Sequence, residues 1–281
     1  MSRTPRPAGA LRVREWALPA PAVTREVRHA EPEQPSERPP LLFVHGLAHG
    51  AWCWDEGWLT GAAERGWSTH AVSLRAHGAS GGRERRRRTR LSEYEHDLLQ
   101  EAARLPRPPV VVAHSLGCVV AARVAARYPF AAVVLLAPVD VTQGLDLVAH
   151  TARRAPLHVA RIAAGLPVQL TDADLFHGLD DASARAHLAR LDPEPPLVQL
   201  QILLRRPPGA PVGRPPVLVY GAEHDTLVPA SGVERTARFY GVPARWLPDI
   251  GHDVMLDEGS KRALETVLSD LESALDPATT A

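Results

Sequence analysis

Lysine is almost missing from this chain: Lys261 is the single lysine among 32 basic residues. The 32 acidic residues balance that total, so the formal net charge is zero. No broad field of one sign exists to gather nucleic acid or an anionic membrane surface, and neither partner is expected. Cysteine is scarce too. Cys53 and Cys118 are the only two, too few for a disulfide framework or a zinc-ligand spacing, and a reducing compartment is expected. No stretch approaches the roughly 18 apolar residues of a spanning helix. The N-terminal MSRTPRPAGALRVREWALPAPAV lacks the continuous apolar core of a secretion signal, so a cytoplasmic location is expected. Nothing repeats at a fixed period.

What remains is enough for one large core. With 281 residues, 45% of them hydrophobic, a single α/β domain carrying an insertion is more economical than two independent domains. Two amphipathic strands are expected first, at Leu11–Trp16 and Val23–His29, followed by a polar, proline-rich connector. LLFVHG (41–46) is a short continuous apolar run, as in a strand buried on both faces. Further strands are expected at 68–74, 110–114, 132–138, 215–221 and 244–248. They alternate with helices at 59–65, 91–105, 116–128, 231–240 and 258–275, the signature of a wound parallel sheet. From Val139 to Pro211 the alternation stops, and only helical fragments separated by Asp- and Pro-rich turns appear. This stretch reads as a helical cap, residues 139–211, inserted into a core made of residues 1–138 and 212–281. Such a cap is expected over the carboxyl ends of the strands, where open α/β sheets bind ligands.

One serine stands at the most abrupt corner of the chain. Ala113-His114-Ser115-Leu116-Gly117 places small residues two before and two after a serine, between an apolar strand and an alanine-rich helix. That is the pattern of a nucleophile elbow, a tight turn that exposes the hydroxyl at a helix N-terminus. The Leu116 N–H would then face a developing oxyanion. An acid and a histidine should follow, each after a later strand. Asp225 follows the strand of PPVLVYG, and His252 follows ARWLP. His252 is placed to take the Ser115 proton as general base, and Asp225 to hold its tautomer. In HGLAHGAWCW (45–54), Gly46 allows a close turn and the Leu47 N–H is the candidate second oxyanion donor.

These segments resemble those of the α/β-hydrolase-fold superfamily, in particular its esterase and lysophospholipase-like serine hydrolases. HGLAHGAWCW is similar to the His-Gly oxyanion stretch, VSLRAHGASGG to the segment after the next strand, AHSLG to the elbow, and GAEHDTLVP and GHDVMLDE to the acid and histidine segments. The resemblance spans nearly the whole chain after Leu11. It implies an eight-stranded, mostly parallel sheet flanked by helices, with catalytic Ser115, His252 and Asp225 and no cofactor. Members that act through an aspartyl ester carry Asp where this chain has Ser115. Similar hydroxynitrile lyases carry lysine where this chain has Asp253. Asp140 stands where some members keep the acid instead.

Other features read more plainly. RERRRRTR (83–90) is expected to be a solvated loop. His45, His49, His77 and His114 lack the cysteine or carboxylate spacing of a metal site, so they should hydrogen-bond or pack, and no metal is expected. Trp52, Trp54 and Trp58 suit either the wall of an acyl pocket or the core. Arg153, Arg154 and Arg161 are placed to meet a polar head beside an apolar acyl group. The sequence reading is a hydrolase that cleaves a small-molecule carboxylic ester, thioester or lactone through an acyl-enzyme on Ser115. Two rivals stay open: an acyltransferase using the same intermediate, and a receptor that retains the fold and triad.

Overall fold

Apolar runs of four or five residues have no polar face to offer water, and they are stable only as strands covered on both sides. The computed structural model describes residues 20–276. In it β2 (Leu41–Val44), β4 (Val110–His114) and β5 (Ala132–Leu136) are such runs, buried at every residue. They combine with β1 (Val27–Ala30), β3 (Thr69–Val72), β6 (Val217–Ala222) and β7 (Ala244–Leu247) into one sheet ordered β1-β3-β2-β4-β5-β6-β7, seven strands among the described residues where the resemblance implies eight. β1 is antiparallel to β3, and every other neighbouring pair is parallel. The strand expected at Leu11–Trp16 lies outside the described residues. The one expected at Val23–His29 forms only from Val27. Upstream of it the partner chain has left β3, so Glu26 and Thr24 carbonyls accept instead from the Ser73 and Gly81 N–H groups of the following loop.

Side chains alternate across each strand, and that alternation divides the core. Leu42, Val44, Val111, Ala113, Val133 and Leu135 face α2 (Leu91–Arg104), α3 (Leu116–Ala125) and α9 (Ala230–Tyr240). Leu41, Phe43, Val110, Val112, Val134 and Leu136 face α1 (Trp58–Glu64) and α10 (Ser260–Leu275). Trp52, Trp54 and Trp58 belong to this second layer. The Trp54 and Trp58 rings lie 5.0 and 6.3 Å from that of Phe43, so they fill the core rather than line a pocket.

Between β5 and β6 the chain forms α4 (Leu145–Arg154), α5 (Pro156–Ala163), α6 (Asp172–Leu175), α7 (Asp181–Leu188) and α8 (Pro196–Leu203), with no strand among the described residues. Parallel register aligns the ends of the core strands. Val44 pairs with Ala113, His114 with Leu136, Leu136 with Tyr220, and Ala222 with Leu247. The turns that follow β2, β4, β6 and β7 therefore leave the sheet along one edge. Those are the turns that hold Leu47, Ser115, Asp225 and His252.

Candidate active site

Ser115 sits between β4 and α3 at φ 51° and ψ −117°, a region that L residues with a Cβ enter only under constraint. The constraint is steric. A Cβ on Gly117 would stand 2.5 Å from the His45 carbonyl oxygen and 2.9 Å from that of Val44. Only glycine lets α3 start this close to the end of β2. Leu116 is the first residue of α3, so its N–H has no acceptor within the helix and points out of the helix N-terminus.

His252 lies across from this corner. Its Nε2 is 2.9 Å from Ser115 Oγ, and its Nδ1 is 2.8 Å from Asp225 Oδ2. The carboxylate places the ring proton on Nδ1, which leaves the Nε2 lone pair to accept from the serine hydroxyl. Asp225 is itself fixed, because Oδ1 accepts from the N–H groups of Leu227 and Val228, both at 2.8 Å. Burial alone would lower the His252 pKa. The charge and hydrogen bond of Asp225 outweigh it, Asp253 and Asp174 add to them, and the result lies above the ordinary imidazole value. His114, the residue before the serine, has the opposite fate. Burial, together with the neighbouring His252, pushes its pKa down to about 3. It is a neutral ring whose Nε2–H donates to the His252 carbonyl at 2.9 Å, so it holds the histidine turn by its backbone.

The turn after β2 closes the arrangement. A Cβ on Gly46 would stand 2.8 Å from His114 Nδ1 and 3.0 Å from the Ser115 Cβ, which brings the Gly46–Leu47 peptide against the serine. His45 Nε2 accepts from the Leu74 N–H at 3.0 Å, so its proton is on Nδ1 and donates to the Gly46 carbonyl at 2.8 Å. In a trans peptide the N–H opposes the carbonyl, so pinning the Gly46 oxygen also sets the direction of the Leu47 N–H. Leu47 and Leu116 line the same cavity as Ser115 and His252.

That cavity measures about 740 Å³ including its open mouth. Its far wall is apolar and comes from the helical segment: Leu147, Ile162, Val168, Leu170 and Leu203. The arginines expected beside it are elsewhere. Arg153 and Arg154 are exposed, and Arg161 donates to the Pro167 carbonyl at 2.8 Å. Thr151, His158 and Gln199 are the polar groups this segment contributes to the lining. Asp140 bonds Arg235 and Thr142, each within 2.8 Å, while Asp225 is the carboxylate on His252. Residues 83–88 form a 3-10 helix rather than a loop, and Arg83 and Arg86 both bond Asp192. The ligand atoms of His114, His252 and Asp253 approach within 4.8 Å of one another. Both nitrogens of His252 and the Nε2 of His114 already have partners, so a cation there would have to displace the Ser115 or Asp225 bond. Two buried carboxylates at this site have contacts that the sequence does not reveal. Asp253 contacts His49 Nε2 at 2.9 Å, and Glu194 binds the turn after β2. The apolar, proline-rich neighbours of Glu194 were the available signal.

The fold is thus a wound sheet whose strand-end turns bring a serine, a histidine and a carboxylate into one hydrogen-bonded chain beside a cavity. Residues 41–265 match the model of the alpha/beta hydrolase family, and the chain belongs to that family. A monoacylglycerol lipase of Mycolicibacterium smegmatis is 29% identical over 259 residues, covering 84% of this chain and 88% of the relative. Among solved structures, a soluble variant of Saccharomyces cerevisiae monoglyceride lipase superposes with a TM-score of 0.68 at 14% identity, covering 92% of each chain. A thermophilic esterase from Thermogutta terrifontis gives 0.61 at 18%, covering 90% of this chain and 94% of the other. No helix among the described residues is long and apolar enough to cross a membrane.

Proposed function

We propose that this protein is a serine esterase that hydrolyses a small-molecule carboxylic ester bearing an apolar acyl group. The observation that carries the reading is the continuous hydrogen-bonded chain from Ser115 Oγ through His252 to Asp225, at 2.9 and 2.8 Å. The likeness to esterases and to monoacylglycerol lipases supports it.

In this reading His252 Nε2 takes the hydroxyl proton as Ser115 Oγ attacks the ester carbonyl. The charge that develops on the carbonyl oxygen is met by the N–H groups of Leu47 and Leu116, aided by the N-terminal end of α3. The imidazolium, held by Asp225, returns the proton to the departing alkoxide, and the acyl group stays on Ser115. Water then repeats the sequence with His252 as base and frees the acid. Residues 139–211 act as the cap, and their apolar side chains receive the acyl group.

The test is initial-rate hydrolysis of a series of p-nitrophenyl esters of increasing acyl length by the native protein and by Ser115→Ala. Loss of at least ~10³-fold in kcat with an unchanged melting temperature is expected. Equal rates for the two proteins would remove Ser115 from the mechanism.

A further inference from the structure

The turn that carries the Leu47 N–H holds its next residue, Ala48, at φ 65°, where a residue with a Cβ does not rest unaided. Two groups from the end of the helical segment keep it there. The Asp192 N–H donates to the Ala48 carbonyl at 2.8 Å, and Glu194 Oε2 accepts from the Ala48 N–H at 2.8 Å. On the other end of the same peptide, His49 Nδ1 meets the Leu47 carbonyl at 2.8 Å while its Nε2 lies 2.9 Å from Asp253, the residue after His252. The Leu47–Ala48 peptide plane is thus gripped at both ends: at its oxygen by His49, which Asp253 holds, and at its N–H by Glu194 of the helical segment.

Glu194 is built for this task rather than for filling space. Only 1% of it is exposed, and a buried carboxylate is costly unless its oxygens are satisfied. Oε1 accepts from the Tyr94 hydroxyl at 2.7 Å, and Oε2 lies 3.2 Å from His77 Nε2 as well as on the Ala48 N–H. Asp192 is anchored in turn, with Oδ2 accepting from the Gly78 N–H at 2.9 Å and with Arg83 and Arg86 as ion partners. Residues 192–194 therefore join three elements: the helical segment, the loop after β3, and the turn that carries the candidate oxyanion donor. An apolar side chain of the same volume would pack there without reaching any of these groups.

We propose that Glu194 is a positioning residue for the oxyanion hole, holding the Leu47–Ala48 peptide so that the Leu47 N–H stays aimed at the reacting carbonyl, and that seating residues 192–194 completes the site. The proposal rests on the serine-esterase reading for what the Leu47 N–H does, and on geometry alone for what Glu194 holds. When Glu194 is removed the Leu47–Ala48 peptide is free to rotate, and the Gly46–Leu47 peptide, joined to it at the Leu47 Cα and otherwise held by His45 on the Gly46 carbonyl, loses one of its two supports as the Leu47 and Ala48 dihedrals relax. Binding of the acyl group in the cavity is untouched, whereas stabilisation of the tetrahedral intermediate is lost. A full oxyanion donor is worth on the order of 10²–10³ in kcat, and a misaimed one less.

The experiment pairs kinetics with amide hydrogen exchange on Glu194→Ala and Glu194→Gln. The glutamine keeps the size and one oxygen for the Ala48 N–H, and its amide can donate to the Tyr94 hydroxyl, so it separates loss of the clamp from loss of the charge. For Glu194→Ala the expected result is faster exchange in the peptide spanning residues 45–54. Alongside it, kcat should fall ~10–100-fold with KM within about threefold, and affinity for a boronic acid that mimics the tetrahedral intermediate should weaken in parallel. Glu194→Gln should recover most of each change. Unchanged exchange in the 45–54 peptide of Glu194→Ala would overturn the proposal, and so would faster exchange with native kcat. Should Glu194→Ala not fold, Glu194→Gln and Tyr94→Phe carry the same comparison with smaller expected changes. Ser115→Ala in the same series keeps the two readings apart. If native turnover does not depend on Ser115, the esterase reading fails, and the exchange result still decides whether Glu194 holds the turn.

Discussion

The strand ends and the helical segment above them are held in place by different mixtures of forces. Every residue of β2, β4 and β5 is buried, and the sheet takes its position from apolar contact on two faces. The helical segment buries Val198 and Ile202 in the core but shows Leu157 and Leu204 to solvent at 67% and 72% exposure, and polar bonds fasten it to the strand-end turns. His150 donates to the Thr226 carbonyl beside Asp225, the Leu175 carbonyl accepts from the Asp253 N–H beside His252, and Glu194 takes the Ala48 N–H beside Leu47. Apolar burial is uniform and non-directional, suited to a rigid platform, whereas a few directional bonds fix a segment at chosen points and leave its inner wall free to vary. The proposed chemistry belongs to the first region and the choice of acyl group to the second.

The comparison breaks most severely where the platform tolerates no extra atom. In Gly117→Ala the new Cβ would meet the His45 carbonyl at 2.5 Å, and backbone on both sides must move. A loss of ~1–3 kcal/mol in unfolding free energy is expected. It should be accompanied by a fall of ~100-fold or more in kcat, because the serine corner and the turn that carries Leu47 are forced apart. Chemical denaturation and ester kinetics on the same sample would check both; native kcat in a destabilised protein would mean that the corner is structural only.

A second prediction follows from the charges around His252. A general base works only when neutral, and Asp225, Asp253 and Asp174 hold the protonated ring to a higher pH than an ordinary imidazole, whose pKa is 6.5. The acid limb of kcat/KM should therefore reach half-height above pH 6.5, falling tenfold per pH unit below it. In Asp225→Asn the midpoint should move down, since the largest raising influence is gone, and the plateau should drop by ~10³–10⁴-fold. An acid limb that stays in place in this variant would separate the midpoint from His252.

The helical segment should answer differently. Leu203→Ala removes part of the cavity wall and Ile162→Trp fills the space it encloses. The first is expected to shift preference toward longer acyl chains and the second toward shorter ones, each changing relative kcat/KM by about tenfold, the range open to a few methylenes in an apolar pocket. Rates measured across the ester series would show it. A uniform loss at all chain lengths would instead assign these side chains to the platform.

The same contrast explains what the sequence made legible. LLFV, VVVAH and AVVLL are stable only as buried strands, so the core strands along the chain, the elbow and the turns bearing Asp225 and His252 could be read from residue type and spacing, whereas the order of strands in the sheet could not. The helical segment was legible as an interruption but not as a wall, because amphipathic helices leave their mutual packing open. Its arginines were the natural candidates for a polar subsite and proved to lie outside the cavity. The roles of Asp192, Glu194, His49 and Asp253 were not legible, since each depends on a contact with a residue far away in sequence, such as the 146-residue separation between Glu194 and Ala48. Even the arginine run found its use only through Asp192.

The smallest predicted effect concerns a bond that resembles the Glu194 clamp in kind but not in setting. Arg190, just past α7, pairs with Glu56 on the core, with the two side chains 37% and 41% exposed. Water screens such a pair, and ordering two long side chains offsets much of the attraction. The Arg190 guanidinium also lies 4.1 Å from the ring centre of Trp52, a contact that does not need Glu56. Glu56→Gln is therefore expected to change unfolding free energy by no more than ~0.5 kcal/mol, with kcat and acyl preference unchanged and the difference erased at high salt. Thermal denaturation at low and high ionic strength, beside the ester series, would measure it. A larger, salt-insensitive loss would mean that the helical segment is seated over its whole margin, rather than at the few points where it meets the turns that carry Leu47, Asp225 and His252.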